Sequence, residues 1–448
     1  MANGRPRRRS IFTGLLLILV GGLLLLHNFH GDLPIWRLFL RWWPLVLIVW
    51  GLAKLYDHFA ARRTGQVAPA TITGGEVVLV ILAIGLLGSV GAYDRMRSRV
   101  DIDFRPPWED TYSVAEELPA KTVPAHSRIT IRTDRGDITV HPEEAAEIRV
   151  VAKKTSSASS ESEAQRRVQQ ITVAITESAG SYEIRPQSQG ERIQVDLEVH
   201  VPKQASVAAW TERGNVQING LAGTITLHGQ HGDIEVRDAG GDVSADLTRG
   251  DAHIVGARGN VKLSGKGGQV EIADVKGEAV VEGEFYGPIR IERAAKGARF
   301  LSKRTDLTVS QLSGRMEAGS GRIEISDAAG NVSLTTRKYD VMMENVSGRI
   351  HIENRDGDIE LRFPQPPREE VEVINNGSGD IELVLPAKST FEVHAETHSG
   401  DVDCEFEGCA EHEIEQHGST KLDWKLGTKG PQLRLKTKYG TIRLRKSQ

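Results

Sequence analysis

A glycine that recurs every nine residues constrains the fold of this chain more than any other feature of its sequence. From residue 214 the blocks read GNVQINGLA, GTITLHGQH, GDIEVRDAG and GDVSADLTR, with a polar residue after most glycines and apolar residues third and fifth. The repeated glycines are Gly214, Gly223, Gly232, Gly241, Gly250, Gly259, Gly268 and Gly277. Self-similarity at a fixed period is typical of a solenoid, in which each repeat is one structural unit.

Each block predicts a turn followed by a short strand. Glycine adopts backbone angles that other residues rarely adopt, and Asp or Asn beside it bonds locally to the backbone. Apolar and polar residues then alternate, as at Val216 and Ile218, which is the pattern of a strand with one buried face. Such a short strand buries its face only by stacking on its neighbours, about 4.8 Å apart, in long parallel sheets. We therefore predict a mainly β fold, a β-solenoid or β-helix. The spacing leaves open the handedness and whether a coil has two or three strands.

The apolar residues near the start of the chain predict an α-helical transmembrane region over residues 1–99. Four arginines precede an apolar run at about 11–26, and further runs follow at 36–56 and 77–93. Spanning a bilayer core of about 30 Å takes roughly 20 such residues. A cleaved signal peptide is the alternative for the first run, but no small-x-small site follows it and two more apolar segments do. The lipid bilayer is thus the first partner we predict.

Basic residues predict the orientation in the membrane. The four arginines before the first span and three basic residues between positions 54 and 63 are both expected in the cytoplasm. A third span then carries the rest of the chain outside. Three arginines between positions 95 and 99 count against this orientation, although long translocated domains follow the charge rule weakly. We predict a multi-pass cell-membrane protein whose C-terminal domain is extracytoplasmic.

Two of the apolar runs also carry a resemblance. The stretches GLLLILVGGLLLL and WRLFLRWWPLVLIVWGL resemble the paired transmembrane helices of LiaI/LiaF-like bacterial envelope proteins. The Trp-Pro-Leu start of the second helix is the more particular feature. The resemblance implies a cell-envelope protein involved in sensing or regulating envelope stress, and it supplies no catalytic residue.

The remaining chain is predicted to form four segments. A linker over 100–124 contains proline and acidic residues, and a β cap over 125–201 includes a short helix near 160–170, opened by the capping box Ser160-x-x-Glu163. The regular solenoid array then covers 202–362, and further β repeats cover 363–448. In these C-terminal repeats an apolar-Pro pair precedes a Gly-Asp corner.

Repeated GDI-type strands with apolar-Pro lead-ins, from Arg128 to Arg445, resemble the bacterial "putative adhesin" domain, a β-solenoid module. The family name implies adhesion by analogy and identifies no activity. Together, the two resemblances imply a domain of unknown function held at the membrane.

Acidic residues at the corners raise the alternative of calcium binding. They are Asp137, Asp233, Asp242, Asp251, Asp358, Asp380 and Asp401. Calcium-binding nonapeptide rolls use a G-x-G-x-D pattern, whereas Asp here directly follows Gly. Asn, Thr, Gln, Glu and Arg also occupy this position in other blocks, so the ligand charge is not maintained. We predict structural turns.

Two histidine pairs superficially suggest metal sites. His394 and His398 enclose Ala-Glu-Thr in a segment that reads as a strand, where residues four apart lie about 13 Å from each other. His228 and His231 flank a corner and have no cysteine or further histidine nearby. We predict no metal site.

Cys404 and Cys409 enclose EFEG, a segment that includes a turn-forming glycine. In an oxidising compartment the pair can form a disulfide, whereas two free thiols are expected in the cytoplasm. The sequence has no Gly-x-Ser-x-Gly nucleophile elbow and no phosphate-binding loop. We therefore predict no catalytic residue and no cofactor.

Three functions are compatible with these features. The first is a non-enzymatic, membrane-anchored scaffold or sensor in envelope organisation or stress response, with envelope proteins or glycans as partners. The second is an adhesin-like binder of surface polysaccharide or protein, and the third, ranked last because the corners are short, is a β-helix polysaccharide-active enzyme. Exposed solenoid edges also predict self-association. A formal net charge of −4 gives no reason to expect a nucleic-acid partner.

Overall fold

The computed structural model describes residues 110–158, 160–187, 193–409, 412–416 and 418–447. The chain divides into two compact units, Met1–Asp110 and Thr111–Gln448. The predicted spans at 11–26, 36–56 and 77–93 lie outside the described residues. Within the described ranges, no helix has both the length and the apolar character needed to cross a bilayer. The prediction of a mainly β fold is confirmed, since these ranges contain 34 strands and one helix.

The elements before the nine-residue repeat are β1 (Asp110–Glu117), β2 (Lys121–Thr122), β3 (Arg128–Arg135), β4 (Ile138–Glu143), β5 (Glu147–Ala158), α1 (Glu161–Gln169), β6 (Thr172–Ser178), β7 (Ser181–Gln187) and β8 (Ile193–Pro202). The strands of the central array are β9 (Ser206–Arg213), β10 (Val216–Asn219), β11 (Ile225–His231), β12 (Ile234–Arg237), β13 (Val243–Leu247), β14 (Ala252–Val255), β15 (Val261–Gly267), β16 (Val270–Val275), β17 (Ala279–Phe285), β18 (Ile289–Ala294), β19 (Ala298–Leu301), β20 (Asp306–Val309), β21 (Leu312–Ala318), β22 (Arg322–Ala328), β23 (Val332–Thr335), β24 (Asp340–Val346), β25 (Ile350–Asn354) and β26 (Ile359–Arg362). The C-terminal strands are β27 (Val371–Ser378), β28 (Ile381–Pro386), β29 (Phe391–Ser399), β30 (Val402–Cys404), β31 (Glu413–Gln416), β32 (Ser419–Leu426), β33 (Gln432–Tyr439) and β34 (Ile442–Ser447).

One coil of the array consists of two strands, each contributed by one block of the repeat. Strand β10 pairs in parallel with β12, with Val216 opposite Ile234, and β11 pairs in parallel with β13, with Ile225 opposite Val243. In both pairs the partners lie two blocks apart in the chain, so successive blocks alternate between two sheets. We call the sheet containing β10 and β12 sheet I, and the sheet containing β11 and β13 sheet II. Each coil therefore has two strands, a number that the repeat spacing left open.

The core lies between the two sheets and is built from the third and fifth residues of each block. In the first coil of the array, Val216 and Ile218 from sheet I and Ile225 and Leu227 from sheet II are all fully buried. The intervening residues point outwards and are polar. Parallel backbone pairing satisfies the strand donors and acceptors, and stacking buries the apolar face that a single block would expose.

The pairing departs in one region from the parallel arrangement that the repeat predicts. Strands β19 and β20 form an antiparallel hairpin, and so do β21 and β22. Strand β18 likewise pairs antiparallel with β21. The regular nine-residue spacing ends just before this region, at Gly277, which leaves the chain free to turn back on itself. Parallel pairing with the same two-block offset then resumes between β22 and β24.

Each end of the solenoid contains a coil that is inserted out of chain order. Strand β3 lies between β7 and β9, and β4 lies between β8 and β10. At the other end, β33 lies between β27 and β29, and β34 lies between β28 and β30. Antiparallel strands cover the outer coils, with β5 on β8, β6 on β7 and β32 on β29. Helix α1 follows β5 and buries Ala164 and Val168.

Candidate functional site

The acidic and amide residues at the corners link successive coils. The Asp137 carboxylate accepts a hydrogen bond from the Asn215 N–H at 2.7 Å, and the Asn215 side chain accepts one from the Asp233 N–H at 2.8 Å. Asp233 and Asp251 continue the series, accepting from the Asp251 and Gln269 N–H groups at 2.8 and 2.7 Å. We call this series the corner ladder. Each side chain satisfies a backbone donor that an exposed turn would otherwise leave to water.

The predicted corner glycines fall into two groups. At Gly214, Gly232 and Gly250 φ is 146°, 134° and 136°, the left-handed region that favours glycine. The other five do not have positive φ. At Gly241, for example, a Cβ atom would lie 2.7 Å from the carbonyl oxygen of Gly223 in the preceding coil. Glycine is needed at such a corner because the coils approach closely, rather than because of an unusual backbone angle.

The structure joins Cys404 and Cys409 in a disulfide, with a Cα–Cα distance of 6.0 Å. Cys409 is fully buried. Between the two cysteines, Phe406 packs edge-on against Phe391, with ring centroids 5.1 Å apart. The disulfide therefore holds a short loop, with its aromatic side chain, against the C-terminal end of the core.

Within each of the two histidine pairs, the two side chains have different partners. His394 Nδ1 lies 2.6 Å from a carboxylate oxygen of Asp423 on the adjacent strand, while His398 is exposed near the end of β29. His228 stacks on Trp210, whereas His231 Nδ1 lies 3.2 Å from the carbonyl oxygen of Glu212. Across the described ranges, no group of three or more His, Cys, Asp or Glu side chains could hold a metal ion.

A charged network on sheet I ties β5 to its neighbours. Arg149 Nη2 donates to both carboxylate oxygens of Glu143 at 2.6 Å, and His200 Nδ1 lies 2.7 Å from the same carboxylate. The hydrogen bond from Arg149, followed by that from His200, holds the pKa of Glu143 below its usual value of 4.5. The His141 ring lies beside that of His200, with centroids 5.2 Å apart and the ring planes tilted by 30°. These contacts cross-link strands, so we assign this network a structural role.

A stacked row of side chains on the outer face of sheet II is the best candidate for a binding site. Arg132, Trp210 and His228 occupy equivalent positions on the adjacent strands β3, β9 and β11. The Arg132 guanidinium lies 4.7 Å from the centroid of the Trp210 ring, a distance at which cation–π attraction operates. On the other face, the His228 ring is stacked at 5.1 Å with an interplanar angle of 11°. Trp210 thus lies between Arg132 and His228 and is half-buried.

This row forms one wall of a groove with a volume of about 530 Å³, within the range of small-molecule sites. We call it the Trp210 groove. Its lining residues are Arg132, Thr133, Asp134, Arg135, Arg185, Pro186, Ile193, Val195, Trp210, Thr211, Glu212, His228 and Gln230. Thr133, Val195 and Thr211 are its buried members, and the charged residues lie at its mouth.

Some polar side chains of the groove already make hydrogen bonds or ion pairs within the described part of the chain. The Thr133 hydroxyl donates to the Val195 carbonyl at 3.2 Å, and the Thr211 hydroxyl donates to the Gly136 carbonyl at 3.3 Å. Arg132 Nε lies 3.6 Å from a carboxylate oxygen of Glu183.

The side chains of Asp134, Arg185, Glu212 and Gln230, by contrast, make no hydrogen bond or ion pair with the part of the chain that the structure describes. These four side chains offer both donors and acceptors to a ligand.

Sequence reasoning missed the Trp210 groove because its members are distant in the chain. Arg132 and Trp210 meet only because β3 is inserted beside β9. A signal was nevertheless present: Arg132, Trp210 and His228 each precede a corner glycine by four residues. Aligning RITIRTDRGDITV with the later blocks on that glycine would have placed the three side chains in one row.

Two family models match this chain in adjoining regions. Residues 126–445 match the Toastrack domain DUF4097, and residues 12–94 match the LiaF transmembrane domain. Because the first match covers most of the 448 residues, the chain belongs to the Toastrack DUF4097 family. Both resemblances seen in the sequence are confirmed, and the protein is a membrane-associated protein of the cell envelope.

Three solved structures give weaker similarities. A "putative cell adhesion protein" from Clostridium sporogenes is 7% identical, with 75% of this chain and 100% of that chain covered and a TM-score of 0.16. A "putative adhesin" from Bacteroides fragilis is 9% identical, with 74% and 97% covered and a TM-score of 0.19. Another from Parabacteroides distasonis is 11% identical, with 74% and 97% covered and a TM-score of 0.18. TM-scores this low support no argument. No curated protein matches the chain.

Proposed function

We propose that this protein is a non-enzymatic, multi-pass membrane component of the cell envelope whose solenoid lies outside the cytoplasm. There it acts as a scaffold or sensor in envelope organisation or stress response. The observation that carries this proposal is the pairing of a LiaF transmembrane domain at 12–94 with a Toastrack solenoid at 126–445 in one chain.

The construction of the solenoid suits a scaffold. Successive coils are held by parallel backbone pairing and by the corner ladder, for example from Asp233 to the Asp251 N–H. Outward-facing ion pairs also bridge coils, as between Lys262 and Glu282 at 2.9 Å. Each exposed pair contributes little by itself. A continuous apolar core with polar faces lets the solenoid present a regular set of outward side chains to a partner.

The disulfide supports an extracytoplasmic solenoid. Disulfides persist in oxidising compartments and are rare in the cytoplasm, and Cys404 and Cys409 are bonded to each other. The Cys409 side chain is fully buried beside Phe406, so the disulfide belongs to the folded C-terminal end of the solenoid. The three arginines at positions 95–99 favour the opposite orientation, but the disulfide outweighs them because it lies within the domain itself.

An adhesin-like binder of surface polysaccharide or protein is the second candidate, and the Trp210 groove favours it. Available donors and acceptors, such as Arg185 and Glu212, lie at the mouth of a cleft beside an aromatic side chain. A polysaccharide-active enzyme ranks below both. The corners between array strands, such as residues 220–224 between β10 and β11, are too short to form the long loops that enclose the cleft of a β-helix enzyme.

A deletion strain that carries an envelope-stress reporter tests the proposed role. Removing the gene should change reporter output, and full-length protein should restore it. A variant with Ile218→Asp, which puts a charge in the fully buried core of the first array coil, serves as the non-folding control and should not restore it. Unchanged reporter output in the deletion strain, under both resting and stressed conditions, would refute a sensor role.

A further inference from the structure

The Trp210 groove is organised as two parallel rows of unlike chemistry. The first row contains the stacked side chains of Arg132, Trp210 and His228. The second row, two residues further along the same strands, contains Asp134, Glu212 and Gln230. Outward residues two apart on a strand are separated by about 6.6 Å, and three strands span about 10 Å across the sheet. The two rows therefore face an elongated ligand that runs across the strands.

The charge of the groove does not favour polyanions. Its lining has three arginines, at 132, 135 and 185, against two carboxylates, which leaves one net positive charge. Arg132 already faces Glu183 at 3.6 Å. A polyanion would also approach the carboxylates of Asp134 and Glu212, which repel it.

The mixture of groups fits hydroxyls instead. A hydroxyl both donates and accepts hydrogen bonds, so it can bond to a guanidinium on one side and to a carboxylate or amide on the other. Arg185 supplies only donors, Glu212 supplies only acceptors, and Gln230 supplies both. All three side chains are exposed and make no polar contact with the described part of the chain. Binding therefore breaks no interaction between these side chains and the described residues.

We propose that the Trp210 groove is a binding site for a neutral glycan, occupied by a short stretch of sugar residues lying across β3, β9 and β11. Arg185 donates to sugar hydroxyls, Glu212 accepts from them, and the exposed part of the Trp210 side chain contacts the apolar C–H groups of a sugar ring. This assignment rests on the proposed extracytoplasmic placement, because envelope glycans are reached from that side. It identifies what the scaffold or sensor would recognise.

The test uses the purified full-length protein in a detergent without a sugar head group. A printed array of neutral and acidic bacterial surface oligosaccharides is probed first, and the oligosaccharide that binds best is then titrated by calorimetry. Arg185→Ala and Glu212→Ala remove one available group each. Arg258→Ala is the matched control, since Arg258 is exposed at the opposite edge of the sheets. Thermal unfolding checks that all three variants are folded.

We expect neutral oligosaccharides to bind, with little effect of added salt. Each groove variant should weaken binding roughly tenfold, which corresponds to losing one hydrogen bond to a charged group, and the control should bind like the wild type. The assignment is overturned if no neutral oligosaccharide binds, if both groove variants bind like the wild type, or if only acidic glycans bind and salt abolishes their binding. A changed stress-reporter output in the deletion strain without any glycan binding would leave the proposed function standing and refute the glycan site alone.

Discussion

Removing one member of the corner ladder should destabilise the solenoid by a predictable amount. In Asp233→Ala, the Asp251 N–H loses its acceptor, which lies at 2.8 Å in the wild type. A hydrogen bond to a charged group contributes about 1.5–3 kcal/mol when the donor has no alternative. This N–H lies at an exposed corner, where water can replace the carboxylate. We therefore expect a loss of about 1 kcal/mol in the free energy of unfolding.

Asp401 provides the matched control for this prediction. It occupies the same corner position after Gly400, but β30 is an outermost strand and pairs on one side only, with β34. Its carboxylate accepts no hydrogen bond from the described residues, so Asp401→Ala removes the local turn preference of Asp without removing a ladder bond. Urea unfolding of the fragment 111–448, followed by circular dichroism, compares the two variants. Equal losses of stability in both would refute the ladder as a source of stability.

The remaining predictions concern other contacts in the same unit. Cys404→Ser should lower the free energy of unfolding by about 2 kcal/mol, which is the loop-closure entropy of so short a loop. Dithiothreitol should cause the same loss in the wild type. If neither the substitution nor dithiothreitol lowers the stability, the disulfide does not stabilise the fold. Hydrogen bonds from Arg149 and then His200 lower the pKa of Glu143. The stability that the ionised Glu143 contributes to the fold is therefore complete above about pH 4.5 and is lost as the pH falls through the lowered pKa. Thermal unfolding of Glu143→Gln should be less sensitive to acid than that of the wild type. In Gly259→Ala the new Cβ would lie 2.6 Å from the Asp242 nitrogen, so the free energy of unfolding should fall by about 1–3 kcal/mol. Gly319→Ala is the control: its Cβ would have no atom within 4 Å, so this variant should unfold like the wild type.

The repeat predicts the general fold because its two requirements are local. A corner glycine and two apolar residues in each block specify a turn and a strand with one buried face, and stacking follows from the need to bury that face. The number of strands per coil does not follow, because coils of two or of three blocks keep the same residues at the corners. The pairing of Val216 with Ile234 decides between them.

The inserted coils and the reversal depend on contacts between distant residues. Nothing local in β3 indicates that it pairs with β9, since the whole stretch from β4 to β8 lies between them in the chain. The β19–β20 hairpin replaces a corner with a short turn in which the Ser302 N–H donates to the Thr305 carbonyl at 2.8 Å. The choice between turning back and adding another coil depends on how the next strand packs, which a single sequence does not express.

The candidate site follows the same division. The corner residues are recognisable from the sequence because their role repeats in every coil. The Trp210 groove lies where the inserted β3 brings Arg132 beside Trp210. The repeat pattern therefore does not predict it. An alignment of blocks on the corner glycine recovers its first row, but the exposure of Arg185 and Glu212 beside that row is visible only in three dimensions.

The most direct test of the central claim is the side of the membrane on which residue 286 lies. Tyr286 is 85% exposed between β17 and β18, so Tyr286→Cys creates a reactive thiol without disturbing the core. The native cysteines are bonded to each other, and the wild type measures any background. Intact cells are treated with a membrane-impermeant maleimide, with Ser10→Cys in the predicted cytoplasmic tail as control. An extracytoplasmic solenoid predicts labelling at position 286 before permeabilisation and at position 10 only afterwards. Labelling at position 286 only after permeabilisation would contradict it.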